Sequence, residues 1–437
     1  MMRSRAGLSA SLGLVLGCLL VGCGDQARTA PAPLPPASGG DRVAAAARAQ
    51  PQYADELKKL DAAIEHGMAV SQRQPADTLI PLEVVSLYLE RARLAGDYAD
   101  YQRAESLLVK VAASSTMPSA GICLATARLH FTMHRLKAAA DALGRCAVPV
   151  DDLAAAEMRA DIAMYSGRYR EAEAIYRSLV NGSGTTNQYV RLALLKGRMG
   201  SPGEAAALLE AAEKRYHAGN PAMRAWLKLQ RGLVALDRGR LDEAIAIWRQ
   251  ASDELEGWWL IDEHIAEALG HAGKLAEAGK LYASVVERTG APAFLDALAA
   301  ITREQGDADG ANRLTARARA IYEQRLAQFP EASAGHALDH FLQDAADRER
   351  ALILARANHK SRPYGEASIA LARALLQTGQ PRPALALLEA ELARGWDTAE
   401  TFVVLSHARK ALGQPALADA ALAQARQRNP LSEKMYR

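Results

Sequence analysis

A glycine followed five residues later by an alanine recurs along this chain at a nearly fixed interval. The pairs are Gly167 with Ala172, Gly200 with Ala205, Gly239 with Ala244, Gly273 with Ala278, Gly306 with Ala311, Gly379 with Ala384 and Gly413 with Ala418. Glycine ends a helix in the left-handed conformation without a Cβ penalty, and alanine lets the next helix approach the one before it. Each pair therefore reads as the elbow of an antiparallel helical hairpin. Turns at Gly96, His134 and Ala346 complete a series at 96, 134, 167, 200, 239, 273, 306, 346, 379 and 413, spaced mostly by 33 or 34 residues and by 38 to 40 where a loop is longer. Each hairpin carries an apolar stripe on both helices and cannot cover both alone, so neighbours must stack into a solenoid.

Composition agrees with that reading. Apolar residues make up 49% of the 437 residues but aromatics only 5%. The shortfall is met by Ala and Leu, the usage of closely packed helices rather than sheets. The fold class is all-α. The formal net charge is +3, to which Arg3 and Arg5 contribute two, so there is no electrostatic case for a nucleic-acid partner.

The residues around each elbow follow one pattern. Between Ala225 and Ala251 stand Gly232, Gly239, Leu241, Ala244, Trp248 and Ala251. Ala160, Gly167, Tyr169, Ala172 and Tyr176 repeat it, as do Ala266, Gly273, Leu275, Ala278 and Tyr282, and the last hairpin has Ala418, Leu422, Ala425 and Pro430. Over residues 78–430 this resembles the tetratricopeptide repeat. Departures are His134 and Ala346 at elbows, Pro202, Pro381 and Pro415 in place of the aromatic, and Thr315 in place of the large residue. The resemblance implies a right-handed superhelical solenoid of about ten hairpins, with first helices lining a concave groove that takes a protein or peptide. Residues 43–76 then read as an N-terminal capping helix, 77–430 as the solenoid and 431–437 as a C-terminal tail.

Upstream, Arg3 and Arg5 precede an apolar run from Leu8 to Val21, shorter than the ~20 residues of a membrane span. Residues 1–22 read as a signal peptide. Leu20-Val21-Gly22-Cys23 resembles the lipobox of bacterial lipoproteins, which implies cleavage before Cys23 and lipidation of its thiol, an anchor in the membrane. Gly24, where the sorting rule places Asp for inner-membrane retention, points to the outer membrane facing the periplasm. Residues 23–42 form a tether: Pro31, Pro33, Pro35, Pro36, Ser38, Gly39 and Gly40 cannot bury a core, and at ~3.1 Å per residue an extended run reaches on the order of 50 Å.

No phosphate-cradling Gly-rich loop, His-Glu-x-x-His pair, Cys-x-x-Cys or nucleophile elbow occurs, so no catalytic residue, metal ligand or cofactor is assigned. Groove candidates come from placing polar residues on concave faces: Glu263 and Glu267 on one first helix, Asp296 on the next, His336 and His340 on the one after. Two His four apart on a helix face, with carboxylates nearby, suit a divalent metal; a solvated polar groove has the same look. Trp226, Trp258 and Trp259 begin adjacent first helices, either as a ring platform for a ligand or as staples between hairpins. Arg348, Arg350, Arg356 and Arg362 read as a solvated convex face. The expected function is a non-enzymatic periplasmic scaffold or adaptor holding a protein or peptide. One alternative is a component of a carbohydrate or exopolysaccharide export or envelope-assembly machine, and a second is a metal-dependent periplasmic enzyme using His336 and His340. Oligomeric state is open.

Four cysteines complete the sequence reading. Cys18 leaves with the signal and Cys23 carries lipid, so Cys123 and Cys146 remain in an oxidising compartment. They lie 11 residues before and 12 after His134, at equal height on an antiparallel hairpin, which pairs them as a disulfide; two small buried thiols are the alternative. Mass spectrometry of the unreduced protein is expected to find them linked, and two free thiols would refute the pairing.

Overall fold

The computed structural model describes residues 52–113, 119–145, 152–344 and 347–436. The signal peptide, Cys23 and the tether lie outside the described residues, as do Cys146 and the elbow at Ala346. Twenty-two α-helices occupy the described residues. A leading helix, α1 (Tyr53–Arg73), is followed by ten hairpins. They are α2 (Leu79–Ala95) with α3 (Ala99–Ala113), α4 (Ala120–Thr132) with α5 (Leu136–Arg145), α6 (Leu153–Tyr165) with α7 (Tyr169–Gly182), α8 (Thr186–Arg198) with α9 (Pro202–Arg215), and α10 (Pro221–Asp237) with α11 (Leu241–Glu254). Then come α12 (Trp259–His271) with α13 (Leu275–Thr289), α14 (Pro292–Glu304) with α15 (Ala308–Gln328), α16 (Pro330–Asp339) with α17 (Arg348–Ser361), α18 (Gly365–Gln377) with α19 (Pro381–Arg394), and α20 (Ala399–Ala411) with α21 (Pro415–Arg428). A short α22 (Ser432–Met435) ends the chain, and a π turn, His340–Asp344, extends α16. The chain is an all-α solenoid of stacked antiparallel helical hairpins.

The local rules are visible at each end of a hairpin. Several first helices begin on a side-chain cap: Asp152, Thr185, Asn220 and Thr398 each accept from the backbone N–H three residues on. All nine described elbows are left-handed, with φ 72° at Gly239 and, unusually for a residue with a Cβ, 61° at His134. Ala172, Ala205, Ala244, Ala278, Ala311 and Ala384 are fully buried, and the large residues four later, Tyr176, Leu209, Trp248 and Tyr282, are buried against the preceding helix. At Gly232 a Cβ would lie 2.1 Å from the Trp248 Nε1, so the indole occupies the space that glycine leaves.

The coil does not stay open. Five or six hairpins after each of the first five elbows the chain returns to it. The backbone N–H of Asp397 donates to the Arg198 carbonyl at 2.9 Å and Arg198 meets Glu366 at 2.8 Å. The Tyr169 hydroxyl donates to Glu391 at 3.0 Å, His134 Nδ1 lies 3.3 Å from the Glu331 carbonyl, and Asn429 reaches the Leu236 carbonyl at 3.4 Å. At the N-terminal end the Leu94 carbonyl accepts from both Trp259 Nε1, at 3.0 Å, and the Tyr53 hydroxyl, at 3.1 Å. One superhelical turn is therefore seated on the next.

Two expectations are corrected by this closure. The segment after residue 430 is no free tail: α22 docks, Met435 is buried, and Lys434 Nζ bonds to the His271 carbonyl. Arg362 is not on a solvated face; it lies buried at the seam, with its guanidinium 5.3 Å from the centre of the Tyr364 ring and 5.9 Å from that of Tyr165. Cation–π attraction there offsets part of the lost hydration.

Gly239→Ala and Gly413→Ala separate the turn from the seam. Both need positive φ, but an added Cβ at 239 would lie 2.4 Å from Asn429 Oδ1, whereas at 413 it meets open space. Chemical denaturation is expected to show a loss of about 1–2 kcal/mol for Gly413→Ala. Gly239→Ala should lose roughly 1–3 kcal/mol more, through overpacking of the seam.

Candidate functional site: an enclosed lumen

Closure narrows the concave groove to a partly open cavity of about 600 Å³. Its walls come from the first helices of seven hairpins, α6, α8, α10, α12, α16, α18 and α20, together with α21 and the docked C-terminus through Met435 and Tyr436. First helices thus face inward around this space.

A belt of ion pairs rings this space. Arg198 sits between Asp237, at 3.2 Å, and Glu366; Arg373 bonds Asp339 at 2.9 Å and lies 4.0 Å from Glu400. Arg428 forms a two-point bond with Asp397 at 2.5 and 2.9 Å and covers the Phe402 ring at 4.2 Å. Six lining carboxylates (Asp237, Glu267, Asp339, Glu366, Asp397 and Glu400) face four guanidiniums (Arg198, Arg238, Arg373 and Arg428), so the wall favours a ligand with positive charge or N–H donors. Burial pushes the Glu400 carboxyl up to about 7 against the opposing pull of Arg373, and burial likewise raises Asp237 against Arg198. Gln230, fully buried on α10 and lining the lumen, has neither its amide N nor its amide O hydrogen-bonded within the chain. An unpaired primary amide offers one donor edge and one acceptor edge to a ligand.

The residues singled out from sequence fall in four separate places. Glu267 lines the lumen, and Glu263 lies behind it, fully buried, with His264 between them. Asp296 and His340 form a pair at 2.9 Å, the His340 ring 5.2 Å from that of Tyr322. His336 instead faces His134, ring centres 6.0 Å apart, and burial together with the Arg362 charge drives it down to about 3. The expected convergence of Glu263, Glu267, Asp296, His336 and His340 does not occur: because the eighth hairpin sits on the seam, one turn of α16 reaches back to the second hairpin while the next reaches the seventh. Trp226, Trp258 and Trp259 are buried in the core, Trp259 packing on Phe294 with ring centres 5.4 Å apart, and none lines the lumen. They staple hairpins. Gln230, Arg198, Arg373, Glu400 and Tyr436 were missed; the available signal was a polar residue interrupting the apolar run of a first helix.

No family model and no curated protein matches the chain. Solved structures resemble it at low identity. Yeast Tom70 is 15% identical, over 86% of this chain and 89% of that one, with a TM-score of 0.43. A human IFIT1 dimer with PPP-AAAA is 12% identical over 85% and 94%, with a TM-score of 0.37. A tetratricopeptide repeat protein from Parabacteroides merdae is 13% identical over 57% and 97%, with a TM-score of 0.34. The fold assignment rests on the chain's own ten hairpins and their left-handed elbows.

The raised Glu400 has a stability signature. In the folded chain it keeps its proton to about pH 7, whereas the unfolded chain releases it in the ordinary carboxylate range. Its contribution is thus present at low pH and is lost as pH rises through 7. Glu400→Gln should match the wild type near pH 4 and exceed it by roughly 2–3 kcal/mol at pH 8 in paired denaturation curves. Glu263 and His264 titrate in both proteins and cancel in the difference.

Proposed function

We propose that this chain is a non-enzymatic adaptor, lipid-anchored through Cys23 to the outer membrane and facing the periplasm, which holds a short extended segment of a protein partner in its lumen. The anchor and address are supported by Arg3, Arg5, the apolar run to Val21 and the lipobox-like Leu20-Val21-Gly22-Cys23. A Cys123–Cys146 disulfide belongs to the same reading: Cys123 is buried on α4, and the described part of α5 ends at Arg145, one residue before Cys146.

The observation that carries the function is Gln230, an unpaired amide inside a lumen of about 600 Å³ whose carboxylates outnumber its guanidiniums. That volume lies in the range of about 300–1,000 Å³ found for ligand sites, enough for a few residues of extended chain and too small for a folded domain. Gln230 pairs with one peptide unit of the segment, and Glu267 favours a lysine or arginine on it. Affinity arises by preorganisation: the seam fixes the walls before the ligand arrives, so little ordering accompanies binding. The carbohydrate-export reading draws on Tyr436, a half-buried aromatic residue of the same wall.

A peptide array probed with the purified chain is expected to select short basic segments. Val234 lines the lumen, and Val234→Trp, which fills it, should weaken capture by tenfold or more, at least ~1.4 kcal/mol. Leu417→Trp, at an exposed outer position, should leave capture unchanged. Binding to glycan arrays with no peptide selected would transfer the lumen to the sugar reading.

A further inference from the structure

On α12 three ligating atoms come together, of which the adaptor role uses only that of Glu267. We propose that Glu263, His264 and Glu267 form a binding site for a first-row divalent transition ion such as zinc, set into the wall of the lumen. His264 Nδ1 lies 3.2 Å from Glu263 Oε2 and 3.4 Å from Glu267 Oε2, and one ligand atom from each residue lies within 4.8 Å of the other two. For metal bonds of about 2.0–2.1 Å in a tetrahedral shell, neighbouring ligand atoms are separated by about 3.3 Å. The two measured separations bracket that edge.

The pairing within the cluster leaves Glu263 unexplained without an ion. The Nδ1 atom of His264 has room for a single proton, and its hydrogen bond goes to Glu267, at 3.4 Å. Glu263 is fully buried, and neither of its carboxylate oxygens has a hydrogen-bond partner. Buried carboxylates are ordinarily paired, hydrogen-bonded or bound to metal. A dication bridging Glu263, His264 and Glu267 balances both carboxylates and satisfies the oxygen that the imidazole leaves over.

The surroundings suit that role. His264 and Glu267 line the lumen, which gives an ion its path in. The His264 ring is stacked on Trp248, centres 5.3 Å apart and planes at 24°, and the Trp248 indole N–H is fixed to the Leu229 carbonyl at 3.1 Å, so the ligand ring is held in place. His271 Nε2 lies 3.9 Å from Glu267 Oε1, the oxygen not used in the cluster. One imidazole nitrogen with two carboxylates matches zinc and its neighbours, whereas calcium takes six to eight oxygens. Three protein ligands leave a fourth tetrahedral position for water or for a group in the lumen. This is not the expected His336 and His340 site, whose rings face different hairpins.

The purified full-length chain, stripped with chelator, is titrated with zinc chloride by calorimetry and with cobalt chloride by visible absorption. One zinc per chain is expected, with cobalt giving ligand-field bands that zinc abolishes. Outer-shell groups alone change affinity by 10–100-fold, so loss of a direct ligand in His264→Gln or Glu267→Gln should weaken binding by more than about 100-fold. Should His264→Gln fail to fold by circular dichroism, Glu267→Gln, which faces the lumen, carries the comparison. His340→Gln should bind as the wild type does. Absence of heat and of cobalt bands in the wild type, unchanged affinity in Glu267→Gln, or lost affinity in His340→Gln would each overturn the assignment.

Discussion

The return of the chain to its first five elbows after five or six hairpins is the constraint on which the rest of this molecule depends. Stacking of neighbouring hairpins is local and would by itself leave a spring open along its concave side. The second turn closes that side through backbone contacts such as Asp397 N–H to the Arg198 carbonyl and through side chains such as Trp259, Asn429 and Lys434. These contacts join residues well over a hundred positions apart, and they add long-range terms to a fold whose other terms are between neighbours. Cooperativity between distant hairpins then has a physical carrier, which a one-dimensional stack lacks.

Polar groups make the seam specific. Glu391, fully buried, receives the Tyr169 hydroxyl from the other turn, the Ser368 hydroxyl at 2.5 Å and an ion pair from Arg394. Burying such a carboxylate is unfavourable unless all its partners are present, so the network favours one register of turn on turn over a slide by one hairpin. The same logic operates within the third and fourth hairpins, where Asp161 takes the Tyr176 hydroxyl at 2.7 Å and Arg191 at 3.0 Å. Apolar contacts alone, Ala against Tyr or Leu at every elbow, are too alike from one repeat to the next to make that choice.

This division explains what was legible in the sequence. Elbows, helix order and the burial of Ala172, Ala244 and Trp248 followed from a period that every hairpin shares, because intra-hairpin packing depends only on residues within about 34 positions. The site was poorly legible, since it depends on superhelical pitch, a sum of small rotations over many units that no single repeat displays. Glu263 and His336 were placed on a concave face, yet Glu263 lies buried behind Glu267 and His336 faces His134, because nothing in their neighbourhoods showed where a second turn would arrive. Arg362 misled for the same reason: an arginine in a basic run reads as solvated unless the aromatic partners, Tyr165 and Tyr364, are known to arrive from two different hairpins.

Closure also changes what the concave face can do. An open groove accepts a long helix or a domain edge along its length, whereas a narrower cavity lined by Arg198, Arg373 and their carboxylates suits a shorter ligand. The C-terminus takes part in that restriction, because Tyr436 and Met435 contribute to the wall and Lys434 holds α22 to the end of α12. Among the seam contacts these are the ones made by the shortest helix, with the least buried surface to oppose local opening. Lys434 bonds the His271 carbonyl, and His271 and Glu267 line the same wall as Met435 and Tyr436.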